Sequence, residues 1–327
     1  MTEISALYRC DEKTSPESLA PGQAIAVSWT ADEYFADRTA VTRSALKLLG
    51  RNGNPRLFHR RWILGEPEDA NESKAKARGT NAHLWLLETE EWICRVGIPE
   101  VKRPDGADGK AKPGSTARAL YDEWKRAVGI REEAMAKIPD RIDVTLDEFR
   151  SLQAMLQSVW ANQAAATLLS APGASEQTII WREPTTEQLV KVRLDRLVEI
   201  RPAHVYGEDL GLEVGVGVVD AKTTKDHRPS GFGRDVEKYG YLTQAALYSD
   251  AVEALLGKRP TWYFVAIKNE SNWGTAVYKL DEEQIQRGRS DYRAKLLELA
   301  RRRFTDDWLA ECERGVHHLK VPDWSHK

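Results

Sequence analysis

After Pro172 the apolar rhythm of this 327-residue sequence changes from helical spacing to short β-rich runs, and that switch restricts the fold more than any other feature. Before it, the spacing predicts a helix opening at Thr42 or Ser44 with Leu46, Leu48 and Leu49 on its apolar positions, and a second from about Lys76 to Trp92. Two more follow at Ala117–Val128 and Leu146–Leu169; in the latter, Leu152, Met155, Leu156 and Val159 form a core stripe. After it come strands at Gln177–Arg182, Leu189–Ile200 and Val214–Thr224, the first pair turning at Pro184 and Thr185. A helix over Asp235–Leu256, strands at Thr261–Lys268 and Thr275–Leu280, and a helix over Asp281–Arg303 complete the pattern. Helices before a mixed sheet, with a crossover helix inside it, predict one α/β (α+β) domain over residues 41–327, its central sheet flanked by helices. Residues 1–40 read as a partly irregular N-terminal arm with one strand at Ala24–Trp29, and Val101–Ser115, rich in Lys, Asp, Gly and Pro, as a flexible surface loop.

A hydrophobic share of 41% suffices for a sizeable core. No run of about 18 or more apolar residues is present and Met1–Arg9 lacks the features of a secretion signal, so a soluble cytoplasmic protein without membrane contact is expected. Cys10, Cys94 and Cys312 form no CxxC pair, which excludes a disulfide framework, a structural zinc and an iron–sulphur cluster. Carboxylates and histidines remain as metal ligands. The net charge of -2 gives no global attraction for nucleic acid. Any DNA surface must be local, and basic residues cluster at Arg56–Arg61, Lys74–Arg78, Lys102–Lys112 and Arg301–Arg303.

The chemistry concentrates on two strands. Alternation along Val214–Thr224 puts Val218, Asp220 and Lys222 on one face, a carboxylate beside an ammonium. In Val190-Lys-Val-Arg-Leu-Asp195, the face of Val190, Val192 and Leu194 is apolar and the other carries Asp195. If the two strands are neighbours, the carboxylates converge. Such a pair offers the hard oxygen ligands that Mg²⁺ prefers, and a nearby lysine can orient water or offset phosphate charge, an arrangement suited to phosphodiester hydrolysis.

Asp195 followed by Asp220-Ala221-Lys222 resembles the signature of the PD-(D/E)XK nucleases, with Leu194 where the family often has Pro. Arg78-Gly-Thr-Asn-Ala-His83 resembles the Gly-Thr-x-x-His helix of RecB-like and RecE-like members, and Gln244-Ala-Ala-Leu-Tyr248 their Gln-x-x-x-Tyr helix. The resemblance covers roughly Thr42–Arg303 and is greatest to the RecE-type exodeoxyribonucleases of phages and prophages. It implies a restriction-endonuclease-like core in which Asp195, Asp220 and Lys222 are catalytic and His83 joins Asp195 and Asp220 at the metal. It also implies Mg²⁺ or Mn²⁺ dependence and 5′-to-3′ digestion of linear duplex DNA, leaving 3′ single strands for recombination. Partners so implied are DNA ends, a single-strand annealing protein, and further copies of the chain in a trimer or tetramer. Gln244 and Tyr248, four apart on one helical face, would contact DNA, brace the lysine, or pack on the sheet. Glu183 is a possible additional acid. No GxxxxGK[ST] loop is present, so no ATP use is expected. An endonuclease or single-strand nuclease using the same site, or a non-catalytic DNA-binding subunit on the same fold, are the alternatives.

Overall fold

The computed structural model describes residues 14–50, 53–66, 74–97, 102–138, 141–205, 210–270 and 272–319. Six strands form one sheet in sequence order: β1 (Ala24–Val27), β2 (Gly173–Arg182), β3 (Leu189–Ile200), β4 (Gly215–Thr224), β5 (Thr261–Lys268) and β6 (Thr275–Lys279). Every neighbouring pair is antiparallel except β4 and β5, which run parallel in a register that includes Asp220↔Phe264. A parallel pair cannot close through a hairpin, so the chain crosses over between them through α10 (Pro229–Tyr239) and α11 (Tyr241–Leu256). The sequence predicts one helix here. Two form because Gly240 adopts φ +67, left-handed, and ends α10 while opening α11.

The other helices follow the same local logic. α1 (Ala31–Ala36) is capped by Thr30 in a reciprocal capping box, and α2 (Arg43–Lys47) by Thr42, whose hydroxyl accepts from the Ala45 N–H. The short α3 (Pro55–Phe58) precedes α4 (Lys74–Leu87) and α5 (Thr89–Arg95), which divide at Glu88 where one helix was expected. α6 (Thr116–Met135) starts one residue before its predicted first position, with Ser115 as its cap, and runs about two turns beyond its predicted end at Val128. The predicted Leu146–Leu169 helix is α7 (Leu146–Ala161) and α8 (Gln163–Ser170), split at Asn162, whose side chain caps the second segment. A turn of helix, α9 (Pro202–Val205), follows β3, and α12 (Glu282–Thr305) ends the regular structure before a single 3₁₀ turn.

The sheet is covered on both faces. Val190, Val192, Leu194 and Val218 pack with α2, α11 and α12 on one side, while Val198, Val219 and Ala221 pack with α4, α5, α7 and α8 on the other. The first of these layers is fastened at its centre: Arg289 of α12 forks onto Asp250 of α11, with Nε 2.8 Å from Oδ2, and the Tyr292 hydroxyl donates to the same carboxylate. Gly288 permits this approach, since a Cβ there would lie 2.0 Å from the Leu242 carbonyl oxygen. Arg289→Leu should therefore destabilise the protein by about 3–5 kcal/mol by stranding a buried carboxylate. Urea unfolding checks this, and a loss below about 1 kcal/mol would refute the fastening role.

The described part of the N-terminal arm is attached to the sheet. β1 pairs with β2, ending at Val27 rather than Trp29, and Val41 bridges to Val190. The Lys191 ammonium, fully buried, donates to the carbonyls of Tyr34 and Asp37 and to the Asp37 carboxylate. The loop expected to be flexible near 101–115 is irregular but anchored on α6. The Arg103 guanidinium lies 5.2 Å from the Tyr121 ring and Arg118 donates to the Gly109 carbonyl. Among the described residues, no helix is long and apolar enough to cross a membrane.

Candidate active site

The site forms where regular pairing fails in the middle of the sheet. β2 and β3 pair at Gln177↔Leu194 and again at Ser175↔Arg196, but Glu176 and Asp195 between them leave the ladder, and Glu176 takes a left-handed φ of +52. The alternation of β3 slips at this level: Leu194 and Leu197, three apart, lie in the same core cluster, while Val198 and Ile200 lie in the opposite one. On the other side of β3, pairing with β4 ends at Arg196↔Val219, one step short of setting Asp195 opposite Asp220. The Ala221 N–H instead donates to Asp195 Oδ2 at 2.9 Å. A side chain has replaced a backbone acceptor, so the strands part here and Glu176, Asp195 and Asp220 occupy successive strands at one level.

Asp220 is almost wholly buried. Its Oδ1 accepts from the Gln244 amide of α11 at 2.7 Å, and its Oδ2 lies 2.6 Å from the Lys222 ammonium. Burial pushes its carboxyl up to about 6 against the pull of Lys222, and the Asp195 charge adds to the rise. Burial works against the Lys222 charge, yet Asp220 and then Asp195 outweigh it and hold the amine above the ordinary lysine range. The Lys222 ammonium also sits 5.3 Å from the centre of the Tyr241 ring, at the first position of α11.

His83 reaches the same centre from the other layer. Ala82 and Leu86 of α4 are buried in the core against β4, and His83 stands at the edge of that stripe. Its Nε2 hydrogen-bonds the Ala221 carbonyl oxygen and lies 3.6 Å from Asp195 Oδ2. His83, Glu176 and Asp195 each offer a ligand atom, and these atoms all lie within 4.8 Å of one another. The Glu176 carboxylate is held by the Arg193 guanidinium at 2.6 Å; burial and then the Asp195 charge raise its pKa, with Arg193 opposing. Two carboxylates and an imidazole gathered in this way fit a hard divalent cation, with the Asp220 charge close by but its oxygens engaged by Gln244 and Lys222.

The structure thus brings together Asp195, Asp220, Lys222, His83 and Gln244, all singled out from the sequence. Two predicted residues are elsewhere. Glu183 lies at the far end of β2, where its carboxylate accepts the N–H groups of Thr185 and Thr186 and the Thr186 hydroxyl, and so closes the β2–β3 turn. Tyr248 faces the core, its ring edge-on to Trp262 at 6.1 Å. Two residues beside the site were not predicted, Glu176 and Tyr241.

The model of a PDDEXK-like domain of unknown function (DUF3799) matches residues 112–316. The chain belongs to this family. The match spans Glu176, Asp195, Asp220, Lys222 and Gln244, whereas His83 lies before it. The fold is also similar to the crystal structure of a protein from Eubacterium rectale named "Putative exonuclease", with a TM-score of 0.53 and 13% identity over 90% of this chain and 96% of that one. No curated protein matches the sequence. Family and fold together support a nuclease of the PDDEXK type.

Proposed function

We propose that the protein is a Mg²⁺-dependent deoxyribonuclease that digests linear duplex DNA from its 5′ ends, leaving 3′ single strands for recombination. The observation that carries the hydrolytic part is the meeting of Asp195, Asp220 and Lys222 at a break in the sheet, with His83 opposite. The end preference rests on the resemblance to the RecE-type exodeoxyribonucleases and not on the metal motif, which endonucleases of the same type share. His83, Asp195 and Asp220, with Glu176 grouped beside His83 and Asp195, would hold a divalent ion, which would supply Lewis-acid chemistry for phosphodiester hydrolysis. Lys222, fixed by Asp220 and the Tyr241 ring, is placed to orient the attacking water and to offset charge growing on the phosphate. Gln244 holds the Asp220 carboxylate in one orientation, and the Ala221 N–H does the same for Asp195, so both acids are preorganised.

Linear, nicked and closed-circular DNA, each with Mg²⁺, with Mn²⁺ and with excess chelator, test this reading. Linear duplex should be degraded with either metal and closed circles spared. Chelation should lower the rate by about 10³-fold or more, reversibly, and ATP should change nothing. Full activity in excess chelator would remove the metal assignment, and equal cutting of closed circles would replace the exonuclease with an endonuclease.

A further inference from the structure

A groove of about 370 Å³ lies between α2, the Gly240 turn and α12. Its walls carry five cationic side chains, Arg43, Lys47, Lys238, Arg287 and Lys295, against two acids, Glu237 and Asp291. The acids are engaged: Asp291 pairs with Lys295 and Glu237 with Arg287. Arg43 is also engaged, since its guanidinium donates to the carbonyls of Tyr239 and Gly240 and so fixes the turn. Lys47 of α2 and Lys238 of α10 remain as exposed cations, and the Tyr239 ring is 39% exposed with the Lys238 ammonium 5.2 Å from its centre. An exposed aromatic ring flanked by lysines offers a stacking face and phosphate contacts together.

The groove borders the active site, since Gly240 and Leu242 of its lining flank Tyr241 in the chain. Tyr239 packs on Tyr241 with ring centres 5.6 Å apart, and Tyr241 is the ring beneath Lys222. A strand lying against Tyr239 is therefore one ring contact away from the side chain beside the catalytic lysine. With an overall charge of -2, the chain depends on local patches of this kind to hold a polyanion.

We propose that this groove binds the DNA strand adjoining the scissile phosphate, with Lys47 and Lys238 on its backbone and Tyr239 against a sugar or base. This rests on the nuclease reading. The test uses the full chain and a fluorescent 30-base-pair duplex, comparing wild type with Lys47→Glu/Lys238→Glu, Tyr239→Ala and, as a control on the opposite helical layer, Arg150→Glu. In metal-free anisotropy titrations at several salt concentrations, the double variant should bind about ten-fold more weakly and reduce the salt slope by about two, one for each lost phosphate contact. Tyr239→Ala should bind about five-fold more weakly with the slope retained. All variants must melt as wild type does. Unchanged affinity and slope in the double variant, or an equal change in Arg150→Glu, overturns the groove while leaving the nuclease standing. Wild type that neither binds nor cuts DNA overturns the nuclease reading, and the groove with it.

Discussion

Asp220→Ala and Lys222→Ala should each lower the rate of DNA cleavage by about 10³-fold or more, because each removes one half of the buried charge pair at the centre of the site. The two changes should part company in binding. Asp220→Ala deletes negative charge from a cluster that also holds Asp195 and Glu176, so metal-free DNA affinity should hold or rise. Lys222→Ala removes a cation and leaves Asp220 with only the Gln244 amide, so it should bind DNA no tighter than wild type. Rates from single-turnover assays and affinities from anisotropy check both, once melting has shown that each variant is folded. Either folded variant degrading linear duplex at near the wild-type rate would move the catalytic centre elsewhere. Because Asp220 is raised to about 6, it loses its charge as pH falls through that value, and with it the ability to hold a cation. Cleavage should accordingly decline below about pH 6.

Much of this site was legible because strands β3 and β4 carry strong period-two patterns whose bounds the sequence marks closely: Leu189–Ile200 is as expected, and Gly215–Thr224 begins one residue late. Alternation alone places Lys222 beside Asp220. It could not place Glu176. That residue precedes the apolar run by which β2 is recognised, and it meets Asp195 only through pairing across the turn. Yet the turn at Pro184–Thr185 contained the information: six residues back from Arg182 and six forward from Leu189, the observed pair nearest the turn, are Glu176 and Asp195. Glu183 was misread for the converse reason. An acid beside Pro-Thr-Thr is well placed to accept the N–H groups of its own turn, and local hydrogen bonds satisfied it before any metal site could. Tyr248 shares a helical face with Gln244, but α11 is buried along nearly its whole length, so four residues further on that face points into the core. Tyr241 became visible only once Gly240 had broken the predicted helix and set the new one's first residue against Lys222.

Asp195→Asn and Glu176→Gln should differ in degree, and the difference follows from their partners. Asp195 touches both halves of the site: its carboxylate takes the Ala221 N–H, approaches His83, and adds its charge to those on Asp220 and Lys222. Asparagine keeps the shape and can leave its carbonyl oxygen on the Ala221 N–H, but it loses the charge and puts an NH2 donor where the other carboxylate oxygen stood. Cleavage should fall by about 10³-fold and excess metal should not restore it. Glu176 lies on one side only and is already paired with Arg193, so part of its charge is spent within the protein. Glu176→Gln should weaken Mn²⁺ binding by about ten-fold or somewhat more, the scale seen when supporting groups of a metal site are lost, and raising the metal concentration should recover most of the rate. Calorimetric titration with Mn²⁺ reads the affinity apart from activity. A Glu176→Gln protein with wild-type Mn²⁺ affinity would show that Glu176 serves only to hold Arg193, and a metal-rescued Asp195→Asn protein would show that the bridging position between the two halves belongs to another residue.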